Sequence, residues 1–319
     1  MNHRSAILII APLAAALTLP SCGGSNLAGT PAASGALTAT PTAAHRAARS
    51  WMNPAGRTQQ LLYIADSGSA TVKVYTYPGL SYTGELTGFV QPLFDCVDKG
   101  GNVWISDYGP SGALYKYAHG GTTPINELTG LSYPYACAVN PQNGDLAVAI
   151  NVETASTNLG EVAVYHNGSG RPSIHIDHNF TLNSGLAYDS SGNLFVDGFA
   201  SGDVFHYAEL PAGSSTFTDI ALSTTPSSPG AVVWDGQYID IGDDSNTIYQ
   251  TQGSTIMHSI SLELSKDTLR GFFAASAKKL IAPDAYANVV GVFRYPHGGS
   301  AKKSITSGLN TPWDVVLSR

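Results

Sequence analysis

Charge is scarce in this chain, with only 12% of its 319 residues Asp, Glu, Lys or Arg. Amphipathic helices need a charged face, so the shortage argues against a helical fold. Basic clusters are missing too: Lys278-Lys279 and Lys302-Lys303 stand alone, and the formal net charge is −7. Nothing here could displace counterions from a phosphate backbone, which excludes nucleic acid as a partner. No CxxC, P-loop, phosphate-cradling Gly loop or Ser-His-Asp order occurs, so no residue is marked as a nucleophile. The one long apolar run, Ala6 to Leu19, is too short for a permanent membrane helix.

What the chain does have is 34 Gly and 16 Tyr, a composition suited to many short strands joined by tight turns, and so to an all-β fold. Its N-terminus has the order of an export signal: the basic Met1-Asn2-His3-Arg4, the apolar run, then Leu19-Pro20-Ser21-Cys22. Residues 1–21 are expected to be a signal peptide, and the chain to be exported. Residues 22–60, rich in Ala, Thr, Ser, Gly and Pro over 23–50, bury too little to offset chain entropy and are expected to be a flexible tether.

A repeat organises residues 61–319. Six apolar segments line up: Leu61-Leu-Tyr-Ile-Ala-Asp66, Asn102-Val-Trp-Ile-Ser-Asp107, Asp145-Leu-Ala-Val148, Asn193-Leu-Phe-Val-Asp197, Gly236-Gln-Tyr-Ile-Asp240 and Lys278-Lys-Leu-Ile-Ala282. They start 41, 43, 48, 43 and 42 residues apart, the period of a propeller blade of about four strands. In each repeat a second strand ends at an aromatic: Tyr77, Tyr117, Tyr165, Tyr207, Tyr249 and Tyr295. The last strand of each repeat opens on Pro or Asn and holds small or β-branched residues, as in Pro134-Tyr-Ala-Cys-Ala-Val139. Such residues suit an innermost strand where sheets crowd round an axis. The pattern is weakest near Leu269-Arg-Gly-Phe-Phe-Ala274.

The chain ends where a seventh opening strand would begin, so the final innermost strand, Pro312 to Ser318, can pair only with Leu61 to Asp66. That pairing closes a ring and leaves no exposed sheet edge. The expected fold is therefore a six-bladed β-propeller.

Two family resemblances follow. Leu-x-Ser-Cys resembles the lipobox of bacterial lipoproteins, which implies lipid on Cys22, attachment to the membrane through that anchor only, and a location at the cell envelope: outer membrane, periplasm or cell surface. The run Asn183-Ser-Gly-Leu-Ala-Tyr-Asp-Ser-Ser-Gly-Asn-Leu-Phe-Val-Asp197 resembles the NHL-repeat and SMP-30/gluconolactonase-like propellers over residues 61–318. Those folds host unrelated activities.

Asp95, Asp314 and Arg270 interrupt innermost strands on blades two, one and six, which are contiguous. They and Asn183 are the candidate ligand-binding residues at the channel mouth, because buried polar groups need partners; the alternative is an Arg270–Asp314 ion pair with Asp95 holding a backbone amide. The SMP-30 resemblance implies a divalent metal in the channel, for which Asp95, Asn183 and Asp314 are the available oxygen ligands, although no innermost strand opens on the Glu of that family. Asp66, Asp107, Asp197 and Asp240 recur at the exit of the opening strand and are expected to accept amides of the following turn. His175 and His178 lie three apart on a strand, hence on opposite faces, and should not chelate together. His119 and His297 belong to repeated turns and read as scaffold. Cys96 and Cys137 sit on successive innermost strands, and an exported protein could bridge blades there with a disulfide or keep two buried thiols.

The sequence thus points to a monomeric, envelope-anchored binding scaffold for a protein, glycan or small molecule, with no catalytic residue and no required cofactor. A metal-dependent lactonase-like hydrolase is the rival.

Overall fold

The computed structural model of the protein describes residues 49–151, 160–266, 269, 271–276 and 278–319. Cys22, the segment before it and Arg270 lie outside the described residues. Six sheets form the six blades of an all-β propeller. Blade one contains β1 (Trp51–Met52), β2 (Gln60–Asp66), β3 (Thr71–Tyr77) and β4 (Tyr82–Leu86). Blade two is β5 (Pro92–Val97), β6 (Val103–Asp107), β7 (Gly112–Tyr117) and β8 (Pro124–Leu131). Blade three is β9 (Pro134–Val139), β10 (Leu146–Asn151), β11 (Gly160–Tyr165) and β12 (Ser173–Ile176). Blade four is β13 (Leu182–Tyr188), β14 (Leu194–Ala200), β15 (Val204–Leu210) and β16 (Thr218–Asp219). Blade five is β17 (Val232–Trp234), β18 (Ile239–Gly242), β19 (Thr247–Gln252) and β20 (Thr255–Ser261). Blade six is β21 (Phe273–Ser276), β22 (Lys279–Asp284), β23 (Val289–Arg294) and β24 (Gly298–Ile305).

The final strand, β25 (Pro312–Ser318), returns to blade one and pairs antiparallel with β2, Leu61 opposite Ser318 and Ile64 opposite Val315. Ring closure is therefore as the repeat requires. It is secured from blade two, where His119 Nδ1 lies 2.6 Å from Ser318 Oγ and Nε2 lies 3.0 Å from the Gln59 carbonyl. The Gly120 N–H in the same turn donates to the Tyr63 hydroxyl at 2.9 Å. Burial pushes that hydroxyl's pKa up to about 12.

The fold begins earlier than the tether expectation of 22–60 allows. β1 pairs with β4 as a fifth strand on blade one, Trp51 opposite Glu85; a 3-10 turn at Pro54–Thr58 follows, and Trp51 packs edge-on against Tyr82 with ring centroids 5.3 Å apart. Two residues of strand carry no alternation, which is why composition alone merged them with the tether.

Apolar surface is buried between blades. Leu61, Tyr63 and Val316 of blade one meet Val103, Ile105 and Tyr115 of blade two; Trp104 and Leu114 meet Leu146 and Val148 across the next junction. Each blade thus covers one face of its neighbour, and only the ring as a whole buries both faces of every sheet.

The recurrent acids act differently from expectation. Asp107 Oδ1 accepts the N–H groups of Val90 and Gln91 at 2.8 and 2.7 Å, and Asp66 Oδ1 accepts that of Asn310 at 2.7 Å. Asp197 accepts Gly185 N–H at 2.7 Å and Gly230 N–H, from blade five, at 3.0 Å. They hold segments leading into or lying in innermost strands, and Asp66 is bonded by Ser69 of the turn that follows it as well. In blade five this role falls to Asp243, which accepts the Ser227 N–H at 3.2 Å. The opening strand there runs about three residues later than the motif placed it, so Asp240 lies inside β18.

Candidate functional site

The innermost strands converge on a cavity of about 250 Å³ along the axis. Its wall takes Phe94, Ala136, Gly185, Ala231, Phe272 and Asp314 at one level, and Val97, Val139, Tyr188, Trp234 and Val316 further along. Residues at the first level are buried, whereas Val97, Val139 and Trp234 are half-buried, so the cavity opens toward the strands' C-terminal ends. Behind Phe94 stands Tyr135 at 4.9 Å, followed by Tyr108 and Tyr133, a chain of rings backing the deep end.

Two carboxyl groups line this otherwise apolar space. A bulge between Pro92 and Asp95 lifts the start of β5 out of register with β6 and frees the Asp95 N–H, which donates to Asp314 Oδ2 at 3.0 Å across the blade junction. Asp95 lies opposite Ile105 and so faces blade one; Cys96 lies opposite Trp104 and faces blade three. Both Asp95 and Asp314 are 5% exposed. Gly271 makes room for Asp314, since a Cβ there would sit 2.3 Å from Asp314 Oδ1.

Burial pushes Asp314 up to about 7, against the pull of the Asp95 and Val315 N–H groups. Burial raises Asp95 well above the carboxylate range, and the Asp314 charge raises it further. Burial and the like charge of the neighbour both disfavour ionising the two carboxyls together, so the pair resists carrying two charges near neutral pH. Neither oxygen of the Asp95 carboxyl has a hydrogen-bond partner. An unpaired buried polar group costs about 1–3 kcal/mol, more if charged.

The other expected ligand residues do not join this pair. Asn183 sits at the junction of blades three and four: its backbone exchanges bonds with the Asn151 side chain at 3.0 and 3.1 Å, and its Nδ2 donates to the Glu161 carbonyl at 3.1 Å. It does not line the cavity. The SMP-30 resemblance implied a channel-facing Asn here, but Asn183 stands at the start of a bulge that runs to Leu186. Cys96 and Cys137 are brought together as a disulfide, S–S 2.11 Å and Cα–Cα 5.7 Å, joining β5 to β9 and forming part of the cavity wall.

A second carboxyl pair was not foreseen. The Tyr295 hydroxyl of blade six lies 2.6 Å from both Asp235 Oδ2 and Asp240 Oδ2, and Gln250 Nε2 donates to it at 2.6 Å. A hydroxyl donates only one hydrogen, so one of the two carboxyls must carry its own proton and donate in return. Asp240 is suited to this: burial first, then the Asp235 charge, push it up to about 7 against bonds from Tyr295 and Gln250. The cluster ties blades five and six together.

No protein-family model matches the chain, and no curated protein matches it. Solved structures do. A protein of unknown function from Bacteroides caccae superposes with a TM-score of 0.62 at 12% identity, over 82% of this chain and 99% of that one. Hydrazine synthase of Kuenenia stuttgartiensis gives 0.55 at 15% identity, over 77% of this chain and 83% of that one. At such identities the likeness is one of fold.

Proposed function

We propose that the protein is a non-catalytic binding module, exported and held at the cell envelope by lipid on Cys22, whose central cavity takes a small organic cation with an apolar body. The observation that carries this reading is the unpartnered Asp95 carboxyl beside Asp314 at the buried end of an apolar cavity. Among the described residues lining it there is no Lys, Arg or His, so the acidic pair favours a positive charge. About 250 Å³ is at the small end of ligand sites and fits a compact amine or guanidine rather than a polymer. An ammonium or guanidinium head would donate to Asp95 while aliphatic or aromatic parts contact Phe94, Phe272 and Trp234. The Cys96–Cys137 bond fits the oxidising compartment that export implies, and the module is taken to act as a monomer.

The lactonase-like alternative loses ground because Asn183, its third oxygen ligand, stands at another blade junction and does not line the cavity that holds Asp95 and Asp314. The repeat's resemblance to NHL and SMP-30-like propellers thus supports the architecture more than the hydrolysis. Thermal-shift measurements against a panel of small amines, guanidines and neutral polyols at pH 8 test the reading. A ligand at 100 times its Kd should stabilise the protein by about 2.7 kcal/mol, for cations but not for polyols, and Asp95→Asn should abolish the effect. A panel in which no cation stabilises the wild type, or in which Asp95→Asn responds as the wild type does, would overturn it.

A further inference from the structure

Away from the channel, three side chains from two blades converge at the outer rim. Asp177 follows β12 of blade three, His206 lies on β15 and Asp219 on β16 of blade four. His206 Nε2 is 3.2 Å from Asp177 Oδ2 and 3.4 Å from Asp219 Oδ1, and the three ligand atoms all lie within 4.8 Å of one another. The remaining carboxylate oxygens are tied back by one residue. Asn179 donates its N–H to Asp177 Oδ1 at 2.9 Å and its Nδ2 to Asp219 Oδ2 at 2.9 Å. Each carboxylate thus has one oxygen anchored and the other turned toward the imidazole. The ring is fixed from its side by the buried Phe180, at 4.5 Å and nearly perpendicular.

Hydrogen bonding alone leaves this arrangement unbalanced. Nε2 carries at most one hydrogen, so it cannot serve both carboxylate oxygens well. Even a protonated ring brings one positive charge against two negative ones, and Asp177 is buried, at 7% exposure. A dication with a neutral imidazole balances the charge and engages all three atoms. The spacing also fits: ligands about 2.0–2.1 Å from a tetrahedral centre lie about 3.3–3.4 Å apart, close to the two distances from Nε2.

We propose that Asp177, His206 and Asp219 form a zinc site that clasps blades three and four. One nitrogen and two carboxylate oxygens are a zinc donor set, whereas calcium and magnesium take oxygen ligands. Nε2 would bind the ion through its lone pair with the ring proton on Nδ1, and Asn179 would orient both carboxylates as outer-sphere partner. Asp219 is exposed, so the fourth position faces water. The His175-Ile-Asp177-His178 run contributes through the acid between its histidines rather than through the histidines.

The test is calorimetric titration of chelator-stripped full-length protein with zinc chloride, with thermal melts in parallel and magnesium chloride as control. Wild type should bind one more zinc equivalent than either His206→Gln or Asp219→Asn, with affinity at that site lowered at least tenfold in both variants. Zinc, but not magnesium, should raise the wild-type Tm and leave that of the variants unchanged. Asp219→Asn changes an exposed residue at the rim, so it keeps the test decisive if His206→Gln folds poorly. Equal zinc stoichiometry and affinity in wild type and Asp219→Asn would overturn the proposal.

Discussion

The Asp95 N–H of blade two donates to the Asp314 carboxylate of blade one at 3.0 Å, yet the Asp95 carboxyl itself bonds to nothing. One acid therefore does structural work for the other, and the second is left available. This asymmetry separates the two residues experimentally: Asp314→Asn keeps an oxygen for the Asp95 N–H, whereas Asp314→Leu removes it. Asp314→Leu should cost about 1–3 kcal/mol more than Asp314→Asn in urea unfolding, the cost of a buried N–H left unbonded.

The pH dependence of stability has a defined sign. Asp314 has a folded pKa of about 7, above its ordinary carboxylate value. The folded state therefore holds more protons than the unfolded state between about pH 4 and 7. The stability from this group is fully present below about pH 4 and is lost as pH rises through 7. Asp314→Asn should gain on wild type by up to about 3 kcal/mol between pH 4.5 and 8, as read from paired denaturant curves.

Reducing the Cys96–Cys137 bond should lower stability by about 2–4 kcal/mol, since it closes a loop of 41 residues in the unfolded chain. Non-reducing mass spectrometry and melts with and without a thiol reductant check this. An unchanged melt after complete reduction would contradict it.

Asp197→Ala should destabilise by about 2–4 kcal/mol, because it strands the buried N–H groups of Gly185 and Gly230 on two blades. Tyr295→Phe should cost about 1–3 kcal/mol by removing the hydroxyl that lies between Asp235 and Asp240. Thermal and urea unfolding of the two variants measure both effects.

The ring was legible because its evidence is periodic: six openings at near-constant spacing, a Tyr in or just after each second strand, and a terminal strand that pairs with Leu61 to Asp66. Local irregularity hid the rest. In blade five, Gly236-Gln-Tyr-Ile-Asp240 imitates the opening motif, but the strand settles about three residues later and puts Asp243 in the stapling position. Asn183, which the SMP-30 resemblance assigned to the channel, instead bridges blades three and four beside the bulge at the start of β13. Asp95 and Asp314 could be found because acids are conspicuous in strands of small apolar residues. The meetings of Asp177 with His206 and of Tyr295 with Asp240 lie between blades, where spacing along the chain says little about which faces meet.

The most direct measurement of the cavity's role is calorimetric titration of the best small amine into wild type, Asp95→Asn and Asp314→Asn at pH 6 and pH 8. The cation competes with protonation of the acidic pair at low pH, so wild type should bind one equivalent more tightly at pH 8 than at pH 6, and each substitution should weaken binding at least tenfold at pH 8. One equivalent bound with the same affinity by all three proteins, or tighter wild-type binding at pH 6, would show that the acidic pair is not where the ligand sits.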